Sequence, residues 1–149
     1  MAVTLMALID GVEATLGAAT GMTSSKSYDE LTEGIPALEC PRLQVHPDRG
    51  TCDPSGWGDR TTFHAGTQQA IITIYADLYA RLRSQLSEDM RKTVELIDAL
   101  VDVLQAQEDL PFFGVVGIKV FNWNWKRANF KYADEQYMGA RFTINLRIF

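Results

Sequence analysis

The chain has 149 residues, 46% of them hydrophobic and 22% charged, with a formal net charge of −5. That length suits a single domain over residues 1–149, able to bury about 70% of its unfolded surface, and the composition excludes disordered and fibrous designs. The acidic balance speaks against a tight grip on nucleic acid, and no basic leader or long apolar run predicts export or a membrane span, so the expected compartment is the cytoplasm.

Leu5, Leu8, Ile9, Val12 and Leu16 recur at helical spacing and predict a short amphipathic helix that ends at Gly17 and Gly21. Met22 to Gly34 is rich in Ser, Thr and charge without any period, and reads as a loop. Between Ala37 and Val45 the prolines Pro36, Pro41 and Pro47 forbid a helix interior. Leu43 and Val45 alternate there with Arg42, Gln44 and His46, as in a short exposed edge strand. Pro47, Asp48, Gly50, Asp53, Pro54, Gly56 and Gly58 then punctuate a long surface loop over residues 46–60.

Thr67 to Tyr79, dominated by Ile71, Ile72, Thr73, Ile74 and Tyr75, predicts a central strand covered on both faces. Met90, Val94, Ile97, Val101 and Leu104 step by four and three, which predicts a second helix of about 20 residues. Ser87 suits its N-cap, and Glu88 and Asp89 suit the positive end of its dipole. Pro111 lies beyond its end. Val115, Val116, Ile118 and Val120, then Phe121, Trp123 and Trp125 alternating with Asn122, Asn124 and Lys126, read as a strand. The cleanest signal is the last: Ala140, Phe142, Ile144, Leu146 and Ile148 on one face, Arg141, Thr143, Asn145 and Arg147 on the other. Ala133 to Gln136 supply a polar turn that makes these two strands an antiparallel hairpin. The expected class is α+β: a mixed, mainly antiparallel sheet of about four strands against two helices, in the order α-β-β-α-β-β.

Sites of chemistry are sparse. No phosphate-binding glycine loop or dinucleotide fingerprint is present, and the serines Ser24, Ser25 and Ser27 stand without a nucleophile elbow. Cys40, His46, Cys52 and His64 are the residue types zinc prefers, yet their intervals of about five, five and eleven residues lack the close pair of a structural zinc site. Reduced thiols and surface histidines with no metal are the better reading, and no cofactor is expected. Asp98 and Asp102, with Glu95 nearby, lie a helical turn apart but share no His or Lys partner on the stripe, as on a solvated acidic face. Trp57, in its Gly/Pro-rich loop, favours an interface, and Trp123 and Trp125 suit a core or an interface equally.

Three stretches resemble a known family: Asp-Leu-Pro-Phe-Phe-Gly at 109–114, the aromatic strand Phe121 to Trp125, and Tyr137-Met-Gly-Ala-Arg-Phe-Thr-Ile-Asn-Leu. They are similar to the tail terminator and tail-completion (neck) proteins of long-tailed bacteriophages. A looser likeness in element order runs back through the long helix to the strand near Leu43. The resemblance implies a structural virion protein, not an enzyme, that forms a homo-oligomeric ring, typically hexameric. The ring would end tail-tube growth and dock the tail to the head. The implied partners are the tail tube protein and the head-completion or connector protein, with DNA passing through the lumen unbound and no membrane contact. The implied location is the virion, after assembly in the host cytoplasm. By that analogy Asp53, Trp57 and Arg60 on the loop, with Trp123 and Trp125, are interface candidates. A head-closure or other neck protein, a small metal-dependent hydrolase built on the Cys40 to His64 region, and a monomeric adaptor are the alternative readings.

Overall fold

A computed structural model of the chain describes residues 4–22, 24–27, 41–52, 70–82, 86–132 and 135–148. The protein is α+β. Helix α1 spans Leu5–Gly17, strand β1 Ser24–Ser27, β2 Arg42–Cys52, β3 Ala70–Leu82, helix α2 Leu86–Gln105, β4 Ile118–Tyr132 and β5 Glu135–Ile148, with a 3-10 turn at Phe112–Gly114. The strands form one five-stranded sheet in the order β1-β2-β3-β5-β4. Among the described residues only the β1–β2 pair is parallel. No helix among the described residues is long and apolar enough to cross a membrane.

Helix α1 starts where Thr4 caps it, its hydroxyl accepting from the Ala7 amide at 3.1 Å. Leu8, Ile9, Val12 and Leu16 are fully buried as their spacing predicts, whereas Leu5, in the first turn, stays 44% exposed. In α2 the stripe is rotated from its expected position. Thr93, Leu96, Ile97, Leu100 and Leu104 face the core, and Val94 is 48% exposed. Leu and Thr on one flank displaced Val on the other, because helical periodicity leaves the stripe centre uncertain by about one residue (100°). The helix also starts at Leu86, ahead of the expected Ser87 cap.

Both helices lie on one face of the sheet, α1 over β1 and β2, α2 over β3 and β5. The core between the layers takes Leu43 and Val45 from β2, Ile74, Ala76 and Leu78 from β3, and Ala140, Phe142, Ile144 and Leu146 from β5, all at 0% exposure. Each such large apolar side chain contributes about 1.5–3 kcal/mol by leaving water. Two glycines permit close approaches: a Cβ on Gly11 would stand 2.4 Å from Val115 Cγ2 where the 3-10 turn meets α1, and one on Gly139 would stand 1.6 Å from the Leu78 carbonyl oxygen.

Several expectations for the first half are corrected. Ser24–Ser27, expected in a loop, is a strand that pairs in parallel with Arg42–Val45. Its own residues show no alternation, so the pairing is supplied by its neighbours. The strand near Leu43 is neither short nor at an edge: β2 has 11 residues and lies between β1 and β3. Pro47 is accommodated because the ladder slips there, between Pro47 and Arg49. Residues 46–52 of the expected long loop are therefore strand, and Asp53 to Arg60 lie outside the described residues. Val115 and Val116 precede β4, with Val116 82% exposed. The C-terminal hairpin, the central β3 and the two helices stand as the sequence pattern implies.

Candidate functional site

The sheet face turned away from the helices holds a polar cluster. Antiparallel register sets His46 opposite Tyr75, Gln44 opposite Asp77, and Asp77 opposite Arg141, so three strands deliver side chains to one spot. Arg141 donates to Asp77 through Nε at 2.7 Å and Nη2 at 3.1 Å, and His46 Nε2 stands 2.8 Å from the second Asp77 oxygen. The Arg141 guanidinium also lies 4.3 Å from the centre of the Tyr75 ring. Burial pushes the Asp77 carboxyl up, but hydrogen bonds from His46 and Arg141 and their charge outweigh it and hold the group below its ordinary 3.8. The same carboxylate raises the Arg141 guanidinium above its ordinary value. A second polar chain runs beside it, Thr73 donating to Asn145 at 2.7 Å and Asn145 to Asn122 at 2.9 Å.

The opposite end of the sheet is different in kind. Phe121, Trp123 and Trp125 of β4 stand opposite Leu146, Ile144 and Phe142, which places them on the helix side. Phe121 is covered by Phe112 at 5.1 Å and Phe113 at 4.9 Å between ring centres. The 3-10 turn that presents them is fastened where the Phe113 amide donates to Gln107 Oε1 at 2.9 Å. Beyond that turn the cover thins, although Arg127 still donates to Met90 Sδ of α2 at 3.7 Å. Trp123 is half-buried against a groove of about 480 Å3 lined also by Leu104, Gln107, Phe112 and Phe121. Trp125 is 44% exposed, and Val120 on the same strand is 49% exposed. Among the described residues β4 also forms an edge of the sheet, with no strand paired to the backbone groups on its outer side.

Of the residues expected at a site, Trp123 and Trp125 come together at this uncovered edge. Asp53, Trp57 and Arg60 lie outside the described residues, as do Cys40 and His64. His46 and Cys52 share strand β2 six positions apart, about 20 Å along the backbone at 3.3 Å per residue. Asp98 and Asp102 are exposed on α2, and Glu95 there pairs with Arg91 at 3.4 Å. The Asp77–Arg141 pair is the feature that sequence reasoning passed over. Its signal was available: a lone acid inside a strand buried on both faces demands a partner, and Arg141 is the basic residue at the matching height of the last strand.

No known family model matches the chain, and no curated protein matches it in sequence.

Proposed function

We propose that this protein is a structural subunit of a long-tailed bacteriophage virion, forming a ring of about six copies at the head-proximal end of the tail. The ring ends growth of the tail tube and offers the surface on which the head docks. Its partners are further copies of the chain, the tail tube protein and the head-completion or connector protein, and DNA passes through its lumen without specific contact. The protein acts by covering and joining surfaces, without catalysis.

The observation that carries this reading is the β4 edge. A strand of 15 residues, open on one side and bearing Val120 at 49% and Trp125 at 44% exposure, is a surface built for a protein neighbour. The sequence likeness to tail terminators falls on this same hairpin. The polar cluster at Asp77 supports the reading differently, by stiffening the sheet that presents the edge.

Light scattering over a range of protein concentrations, with images of any large species, is the test. Closed rings of about six subunits are expected, alone or on the tips of purified tail tubes. A chain that remains monomeric and caps no tube overturns the proposal. Rings that bind the head connector and ignore the tube move the protein to head closure.

A further inference from the structure

The C-terminal hairpin and the rest of the chain carry opposite charge. Residues 118–149 hold 6 Lys and Arg against 2 acids, a net of +4, and the chain total of −5 leaves −9 for residues 1–117. Strand β4 alone contains Lys119, Lys126, Arg127 and Lys131 with no acidic residue. Across the molecule's outer surface, α2 turns Asp98 and Asp102 to solvent around Val94, which is 48% exposed. Arg127, Lys131, Asp98 and Asp102 form no ion pair among the described residues.

The uncovered edge and the acidic helix are therefore complementary in both charge and apolar content. Two β4 edges cannot pair with each other favourably, because each brings only positive charge. A nucleic acid matches the charge of the hairpin, but it would meet the field of the remaining −9. A second copy of this chain supplies both terms.

We infer that β4 of one copy docks against the outer face of α2 on a neighbouring copy, with Trp125 packed on Val94 and with Arg127 and Lys131, which share the sheet face of Trp125, toward Asp98 and Asp102. The two surfaces are different, so the contact runs head to tail, the arrangement that closes into rings. The inference rests on the ring proposal and specifies its contact.

Paired charge reversals test it. Asp98→Lys with Asp102→Lys makes one variant, and Arg127→Glu with Lys131→Glu makes the other. Each alone is expected to raise the concentration needed for assembly by about tenfold or more, read by light scattering. An equimolar mixture is expected to assemble like the original protein, since each variant then meets its opposite; that rescue also shows that both are folded. Assembly by either variant alone at the original concentration, or absence of rescue, overturns the contact while leaving the ring proposal standing. Failure of the unaltered protein to assemble, either alone or on purified tail tubes, overturns both. Binding of a short DNA duplex that is lost in Arg127→Glu/Lys131→Glu, with assembly unchanged, assigns the edge to nucleic acid and also overturns the contact.

Discussion

β4 and β5 are the two arms of one hairpin, 15 and 14 residues long, and their fates differ. Phe142 and Ile144 of β5 are completely buried, while Trp125 and Trp123, directly opposite them on β4, are half open to water. Both arms alternate apolar and polar residues equally well. What separates them is the helix layer: α1 and α2 pack mainly over the other four strands, and α2 meets β4 at its margin, where Arg127 donates to Met90 Sδ at 3.7 Å. The same sequence pattern thus yields core in one arm and an interaction surface in the other, and the distinction lies in what stands above each strand.

The sharpest way to break that contrast is to truncate its two sides in turn. Phe142→Ala removes a ring that is 0% exposed and should cost about 3–5 kcal/mol, read as a lowered midpoint in urea unfolding. Next in size is Asp77→Asn on the opposite face. Asp77 is 4% exposed and carries both Arg141 and His46, so its neutralisation should cost about 2–3 kcal/mol near neutral pH. Its lowered pKa sets the sign of the pH effect: the carboxylate's contribution is complete above its ordinary 3.8 and is lost as pH falls through the lower native value. Urea midpoints measured down a pH series should therefore fall in acid for the original protein and fall less steeply for Asp77→Asn. The smallest effect on stability belongs to Trp125→Ala, about 1 kcal/mol or less for the monomer because the ring is already 44% exposed. Its effect should appear in assembly, as a rise in the concentration at which light scattering detects large species.

The polar cluster at Asp77 and the ion pairs on α2 offer a second contrast. Arg91, Lys92 and Glu95 meet at 3.4 and 3.7 Å on a solvated helix face, where such pairs are worth a few tenths of a kcal/mol. Asp77 meets Arg141 at 2.7 Å with the carboxylate withdrawn from water. Distance alone does not rank them; burial does, since an unmatched charge at Asp77 would leave a desolvated partner behind.

How far the sequence reaches can be judged residue by residue. The spacing of Leu8, Ile9, Val12 and Leu16 placed α1 and its buried face, and the alternation from Ala140 to Ile148 placed β5 and named its inner residues. The β-branched run at Ile71 to Tyr75 marked the centre of the sheet, and the α+β class followed from the order of periods along the chain. These are local properties: a repeat of 3.6 or 2 residues is set by backbone geometry, and burial of one face follows from it. Tertiary structure decided the rest. Ser24–Ser27 became a strand because Arg42–Val45 offered a ladder, His46, Asp77 and Arg141 met because three strands aligned at one height, and Trp125 was left half open because the helices pack mainly over the other four strands. Each of those outcomes depends on a partner distant along the chain, and no local period records which partner will arrive.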